Sequence, residues 1–271
     1  MIERTTAAKM ALEIATEAAQ TVMRVYAGQF DVDYKIGDDP VTRADRESNA
    51  LCCERLSRAF PGVPIVAEES DPATYAGFAG ESAVWFVDPL DGTREFVARN
   101  GEFAVMIGLA EGGRATIGVV VAPAWLRAFV GIVGEGAWEV AADGTRRPIR
   151  VSSHASATGL PLLVSRSRSP NRLEAIVAGL GAAGAVAHGS AGLKGALVAC
   201  GAYDMYAQPG AAGMLWDACA TDALVRAAGG ACSDGDGAAF DYASEDLLNA
   251  RGLVASNGAL HAAVLDAIRT A

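Results

Sequence analysis

The spacing of apolar residues predicts helices at the start of the chain. From about Arg4 to Tyr26, apolar residues recur at helical spacing in an Ala-rich stretch, which predicts an amphipathic helix. After Pro40, Thr42 and Asp45 form a capping-box-like start, which predicts a second helix running to about Phe60. We therefore expect two helices before any strand.

Short apolar runs then replace the helical spacing. Gly-containing turns such as 111–113 separate several of these runs, a pattern typical of an antiparallel meander. The predicted strands are 63–67, 83–87, 103–109, 115–121, 128–133 and 137–140.

After about residue 150 the pattern changes again, to strands that alternate with helices. The predicted strands are 162–164 and 252–255, and the predicted helices are 171–180, 193–200, 216–228 and 260–268. This order predicts an α/β protein, more closely an α+β layered sandwich, built from two joined parts at 1–150 and 151–271.

Composition narrows the classes of function. The chain has 271 residues, 51% of them hydrophobic, and a net charge of -10, which argues against a long nucleic-acid partner. The five cysteines lack metal-ligand spacing and the three histidines lack a nucleophile motif, so we expect chemistry based on carboxylates. The absence of a signal-peptide pattern and of a long apolar run predicts a cytoplasmic protein without an integral membrane segment.

Two aspartates follow the predicted strand 83–87, in the sequence D-P-L-D-G-T at 88–93. The proline and the glycine favour a turn, so Asp88 and Asp91 should emerge together as ligands for Mg²⁺. The Leu90 carbonyl could supply a further oxygen, and the amides of Gly92 and Thr93 could bind phosphate. An ordinary Asp-rich turn explains this segment equally well on its own.

Further acids occur at the ends of other predicted elements. Glu68 and Glu69 follow the strand 63–67, and Asp217 opens the helix 216–228. Taken singly, a solvated loop accounts for Glu68 and Glu69, and the helix dipole accounts for Asp217. Together with Asp88 and Asp91 they could hold two metal ions about 3.5–4 Å apart, an arrangement that promotes phosphoryl transfer.

These acids belong to a longer series of motifs between about residues 35 and 257. The series is Asp45, Glu68-Glu69-Ser70, Asp88-Pro89-Leu90-Asp91-Gly92-Thr93, Trp216-Asp217 and Ala228-Gly229-Gly230. It resembles the Mg²⁺-dependent, lithium-sensitive inositol monophosphatase superfamily. The resemblance implies an αβαβα sandwich that acts on a small phosphorylated substrate with two or three Mg²⁺ ions. It also implies that Mn²⁺ can replace Mg²⁺ and that Li⁺ and Ca²⁺ inhibit, and it leaves a homodimer open.

The resemblance also implies roles for individual residues. The implied metal ligands are Glu68, Asp88, the Leu90 carbonyl, Asp91 and Asp217. Glu68 and the pair formed by Thr93 and Asp45 would activate the attacking water, and Gly92 and Thr93 would bind phosphate. For Asp45 the capping box is an equally good explanation.

A second set of segments resembles one subgroup, the 3′(2′),5′-bisphosphate nucleotidases. These are R-E-F-V-A-R-N-G-E-F at 94–103, V-S-R-S-R at 164–168, G-S-A-G-L-K at 189–194 and W-D-A-C-A at 216–220. Ala218 stands where Thr is usual, and the segment 206–210 lacks the Tyr-Pro-Arg of some bacterial members. The implied substrate-binding residues, besides Gly92 and Thr93, are Arg94, Glu95, Ser165, Arg166, Arg168, Ser190 and Lys194.

The cations among these residues suit a substrate with two phosphates. The alternative is that Arg166 and Arg168 are exposed loop residues and Lys194 is a solvated helix residue. We therefore predict hydrolysis of the 3′-phosphate of adenosine 3′,5′-bisphosphate to AMP and phosphate by metal-activated water. The alternatives are an inositol monophosphatase or histidinol-phosphatase of the same superfamily, and a non-catalytic regulatory protein with the same fold.

Overall fold

Two helices pack side by side on the outside of the molecule, α1 (Arg4–Tyr26) and α2 (Arg43–Ala59). The computed structural model describes residues 2–35, 39–166 and 170–271. A hairpin of β1 (Val32–Lys35) and β2 (Asp39–Thr42) lies between the two helices, so the expectation that both helices precede any strand is wrong. These strands are short and partly exposed, and hence form no apolar run that a sequence pattern could reveal.

A seven-stranded sheet follows, with its strands in chain order. The strands are β3 (Ile65–Ala67), β4 (Ala83–Asp91), β5 (Ala104–Glu111), β6 (Arg114–Ala122), β7 (Arg127–Ile132), β8 (Gly136–Ala141) and β9 (Arg146–Ile149). From β4 to β9 all pairs are antiparallel, which confirms the predicted meander. β3 pairs parallel with β4, because the long segment 68–82 carries the chain back to the same end of the sheet.

The rest of the chain forms a five-stranded mixed sheet with helices on both faces. Its strands are β10 (Pro161–Ser165), β11 (Gly184–His188), β12 (Met205–Pro209), β13 (Ala231–Ser233) and β14 (Gly252–Ser256), in the spatial order β11-β10-β12-β14-β13. The remaining helices are α3 (Thr93–Val97), α4 (Pro170–Leu180), α5 (Ala191–Ala199), α6 (Leu215–Ala227) and α7 (His261–Thr270).

These elements stack in five layers. Helices α1 and α2 cover one face of the large sheet, and α5 and α6 lie between the two sheets. Helices α4 and α7 cover the outer face of the small sheet, and an apolar cluster fills each region between helices and sheet. The predicted αβαβα sandwich is thereby confirmed, whereas the division into parts at residue 150 stays a prediction.

A row of glycines lets α6 lie unusually close to the large sheet. Gly108, Gly118 and Gly131 are direct partners across β5, β6 and β7. A Cβ at Gly118 would stand 2.1 Å from the backbone oxygen of Ala220 in α6, well inside van der Waals contact. The glycine row therefore sets the height of α6 above the sheet, and with it the place of Asp217 near the start of that helix.

Candidate active site

The two aspartates of segment 88–93 lie on β4, which continues to Asp91 instead of ending at Asp88. The pairing of β4 with β5 is interrupted between these two residues, where Pro89 offers no N–H to the ladder. Asp88 is 1% exposed and Asp91 is 7% exposed. The predicted turn is thus an irregularity within a buried strand, with both carboxylates shielded from bulk water.

A third aspartate joins them from the layer of helices between the sheets. Asp217 caps α6 by accepting a hydrogen bond at Oδ2 from the Met214 N–H at 2.6 Å. Carboxylate oxygens of Asp88, Asp91 and Asp217 all lie within 4.8 Å of one another. Three carboxylates at this spacing form an oxygen-only donor set, which suits a hard divalent cation such as Mg²⁺.

The electrostatics of the cluster favour a bound cation. Burial raises the pKa of Asp88 well above its usual range, and the charges of Glu68, Asp91 and Asp217 raise it further. Burial likewise raises the pKa of Asp217, with Glu68 and Asp91 adding to the effect. A divalent cation among these groups would offset their mutual repulsion, so the residues fit the metal that the sequence implies.

Glu68 lines the same pocket but is bound by a lysine that the sequence analysis did not identify. Lys35 Nζ, at the end of β1, donates to Glu68 Oε1 at 2.9 Å and also to Glu69 Oε1. Burial raises the pKa of Glu68 to about 7, although the Lys35 ammonium opposes this shift. Lys35 thus provides an internal positive charge beside a predicted metal ligand.

These raised pKa values predict that Mg²⁺ affinity increases with pH up to about 7, the pKa of Glu68. The carboxylates must lose their protons to bind a cation, so binding below this pH should release protons. Without metal, Glu68 has a pKa of about 7 in the folded protein and its ordinary pKa of 4.5 in the unfolded chain. Between these two pH values the folded protein binds the proton more tightly, so the stability of the metal-free protein should fall as pH rises from about 4.5 to about 7.

Calorimetric titration with Mg²⁺ at pH 6 and pH 8, in buffers of different ionisation enthalpy, measures both the affinity and the released protons. Glu68→Gln, which cannot titrate, should flatten the pH dependence. An affinity that is the same at both pH values would contradict the prediction.

Asp45 makes the hydrogen bonds that both explanations of this residue require. Its Oδ2 accepts hydrogen bonds from the Thr42 N–H at 2.8 Å and the Thr42 hydroxyl at 2.7 Å, as in a capping box. Its Oδ1 accepts a hydrogen bond from Thr93 Oγ1 at 2.8 Å. The Thr93 hydroxyl also lies 3.1 Å from the Leu90 carbonyl oxygen. The cap therefore orients the carboxylate that holds Thr93.

The start of α5 lies against Asp91 and holds its carboxylate from the other side. The hydroxyl of Ser190 donates to Asp91 Oδ2, and the Gly192 N–H donates to the same oxygen at 2.7 Å. The Ala191 N–H donates to Asp91 Oδ1 at 3.1 Å. Asp91 thus has a defined orientation within the protein itself.

The carboxylates and most of the predicted substrate-binding residues line one pocket of about 490 Å³. Gly92 (φ 96°) is the N-cap of α3, and the predicted residues that line the pocket are Gly92, Thr93, Arg94, Glu95, Ser165, Arg166, Ser190 and Lys194. Arg168 lies outside the described residues. Lys194 is 2% exposed, so the alternative that it is a solvated helix residue is wrong.

Two of these residues are bound to neighbours that sequence reasoning missed. Arg166 forms an ion pair with Glu102, which also accepts a hydrogen bond from the Gly189 N–H at 2.7 Å. Ser165 Oγ donates to Gln208 Oε1 at 2.5 Å, and the Tyr206 hydroxyl donates to the same oxygen at 2.8 Å. The only sequence signal for Gln208 was the departure of segment 206–210 from the subgroup pattern.

The layered fold and a pocket lined by buried carboxylates are those of a phosphatase. The chain belongs to the inositol monophosphatase family, which it matches over residues 3–271. This confirms both the superfamily resemblance and the prediction that the chain is an enzyme. The family is metal-dependent, in agreement with the cluster of Asp88, Asp91 and Asp217.

Similar proteins include members of the subgroup that the sequence resembles. The 3′(2′),5′-bisphosphate nucleotidase CysQ of Salmonella typhimurium is 35% identical over 240 residues, which cover 88% of this chain and 94% of the relative. The CysQ of Buchnera aphidicola is 32% identical over 232 residues, 85% of each chain. The resemblance to this subgroup is thereby confirmed.

Solved structures agree with the fold. The inositol monophosphatase of Anabaena superposes with a TM-score of 0.79 at 29% identity, covering 99% of this chain and 97% of the other. The extragenic suppressor protein suhB of Bartonella henselae gives a TM-score of 0.83 at 24% identity, covering 97% and 98%. Among the described residues, the helices lack the length and apolar character needed to cross a lipid bilayer.

Proposed function

We propose that the chain hydrolyses the 3′-phosphate of adenosine 3′,5′-bisphosphate to AMP and phosphate with the help of Mg²⁺. The observation that carries this proposal is the cluster of Asp88, Asp91 and Asp217, which shares one pocket with the guanidinium groups of Arg94 and Arg166. The pocket therefore offers ligands for cations and, separately, positive charge for a second phosphate. Relatives named 3′(2′),5′-bisphosphate nucleotidase support the choice of substrate.

Each part of the site has a task in this reaction. Asp88, Asp91 and Asp217 would hold divalent cations, which would supply Lewis acidity to the attacking water and the phosphate oxygens. Thr93 Oγ1 donates its single hydrogen to Asp45 or to the Leu90 carbonyl, which leaves its lone pairs to accept a hydrogen bond from the attacking water. Glu68 lines the same pocket, and the hydrogen bond that its Oε1 accepts from Lys35 holds its carboxylate in place to orient the attacking water.

The second phosphate is assigned to the arginine side of the pocket. Arg94 and Arg166 are exposed residues that line it. A guanidinium group binds a phosphate through paired N–H donors. Glu102 pairs with Arg166, and Glu95 Oε1 lies 3.8 Å from Arg166 Nε, so both carboxylates orient this guanidinium group.

A substrate panel tests the proposal. At fixed Mg²⁺ we expect kcat/KM for adenosine 3′,5′-bisphosphate to exceed that for inositol 1-phosphate or histidinol phosphate by at least about tenfold. A factor of this size corresponds to one charge-assisted hydrogen bond to the second phosphate. In Arg166→Gln, the advantage of the bisphosphate should shrink while turnover of the monophosphates stays close to wild type. Arg147→Gln, on the edge strand β9, serves as the matched control because Arg147 lies outside the residues that line the pocket.

The other outcomes separate the rivals. A preference for inositol 1-phosphate or histidinol phosphate would replace the proposed substrate but keep the reaction. Phosphate release that is absent with every ester, in the presence of Mg²⁺, would support the regulatory protein instead.

A further inference from the structure

Lys194 is a buried lysine in the first turn of α5, and its ammonium group is hydrogen-bonded to backbone carbonyl oxygens. Only 2% of the residue is exposed. Its Nζ donates to the carbonyl oxygens of Ser190 at 2.7 Å and His188 at 3.2 Å. The ammonium also lies 5.0 Å from the centre of the Tyr206 ring, within cation–π range. Two of its N–H donors are therefore committed to one backbone segment, 188–190.

That segment has a backbone conformation that needs support. Ser190 has a φ of 56°, in the left-handed region that residues with a Cβ rarely adopt. Such a conformation is unfavourable for a residue with a side chain and persists where surrounding contacts hold it. The two carbonyl groups bound by Lys194 belong to Ser190 itself and to the residue two positions before it, so these bonds clamp the strained turn.

The strained turn is the part of the protein that faces Asp91. With φ at 56°, Ser190 both caps α5, by accepting a hydrogen bond from the Leu193 N–H at 3.0 Å, and donates its hydroxyl to Asp91 Oδ2. The next two amides, of Ala191 and Gly192, bind the two oxygens of the same carboxylate. A change in the turn would therefore rotate or release Asp91.

We infer that Lys194 is a positioning residue for the candidate metal site: it fixes Ser190, and Ser190 with the two following amides fixes the carboxylate of Asp91. This inference rests on the proposed function, in which Asp91 is a metal ligand. It gives Lys194 a different task from the one implied by the sequence, namely contact with a substrate phosphate. Burial lowers the pKa of Lys194 to about 8 although Asp91, Glu95 and Glu102 oppose that shift, as expected for an ammonium group without access to bulk water.

Direct Mg²⁺ titration in the absence of substrate tests the inference. Lys194→Met keeps an unbranched side chain but removes the N–H donors. We expect its Kd for Mg²⁺ to rise on the order of tenfold, the usual effect of removing a residue that orients a metal ligand. Its kcat should recover as Mg²⁺ is raised, and its KM for the bisphosphate at saturating Mg²⁺ should stay within about twofold of wild type. Ser190→Ala should weaken Mg²⁺ similarly, and the double variant should be weakened by less than the product of the two effects, because both act on Asp91.

Val198→Ala is the matched control, since Val198 is a fully buried residue of the same helix whose truncation lowers stability without touching the turn. It should lower Tm and leave the Kd for Mg²⁺ unchanged. If Lys194→Met binds Mg²⁺ as tightly as wild type, the inference is wrong. This holds if the variant only has a lower Tm, and it holds equally if its KM for the bisphosphate is higher. A wild-type protein that binds no Mg²⁺ would instead overturn the proposed function, and the inference with it.

Discussion

Replacing Asp91 by Asn should lower kcat/KM on the order of a hundredfold or more, the equivalent of a few kcal/mol of lost charge stabilisation. Asn has nearly the same shape but only one acceptor oxygen and no charge. Its amide nitrogen would face Gly192 N–H or Ala191 N–H, donors that now bind the two carboxylate oxygens. The variant should therefore lose both a cation ligand and the orientation of the side chain. Steady-state kinetics over a range of Mg²⁺ concentrations measures the effect.

The control for this variant is Asp143→Asn, which changes an exposed aspartate in the turn between β8 and β9. It carries the same change of charge and should leave activity unaltered. Circular dichroism should show that both variants are folded. Turnover by Asp91→Asn within about threefold of wild type would remove Asp91 from the metal site.

Replacing Gly118 by Ala should destabilise the protein by about 1–3 kcal/mol, the usual range for overpacking a core. The added Cβ would meet the Ala220 backbone oxygen at 2.1 Å, and a backbone atom cannot move aside by changing rotamer. Helix α6 would have to rise from the sheet, and Asp217 would move with it. Because a displacement of about 1 Å can reduce turnover about a hundredfold, we expect activity and Mg²⁺ affinity to fall in the remaining folded protein.

Gly80→Ala is the matched control, because its added Cβ meets no heavy atom within 4 Å among the described residues beyond its chain neighbours, and its φ is not in the left-handed region. It should change the free energy of unfolding by less than about 0.5 kcal/mol. Thermal unfolding and Mg²⁺ titration of both variants measure the two effects separately. A Gly118→Ala protein that loses stability but binds Mg²⁺ like wild type would show that the glycine row serves packing alone.

The sequence predicted the elements whose apolar pattern is strong and missed those whose pattern is weak. Helix α1 was predicted at Arg4–Tyr26, where it lies, because its buried face is long and regular. The hairpin β1–β2 and the edge strand β9 escaped notice because each strand has only four residues, and β1 and β9 are largely outside the core. The sequence also missed β11, which has no fully buried residue, and β12, in which Gln208 interrupts the apolar run.

The site shows the same division between local and long-range information. Asp88, Asp91 and Asp217 were identified from local motifs, and the structure brings them together. Lys35 and Gln208 lie in the pocket through tertiary packing, and the one sequence signal for either was the departure of segment 206–210 from the subgroup pattern. A motif shows which residue types are present at a position. The hydrogen bonds of Lys194 to segment 188–190 depend instead on how α5 packs against the neighbouring turn.

The origin of the three aspartates in different layers has a consequence for the order of events during folding. Asp88 and Asp91 lie on the large sheet, whereas Asp217 lies on a helix that joins them from far along the chain. A contact between such distant segments forms only after much of the intervening chain has become ordered. The complete set of ligands therefore exists only when α6 has docked, so tight capture of a cation should be a late step and should mainly slow unfolding. A bound ion would then join the large sheet to the layer of helices between the two sheets as a reversible cross-link, and its concentration would set how long a folded molecule survives.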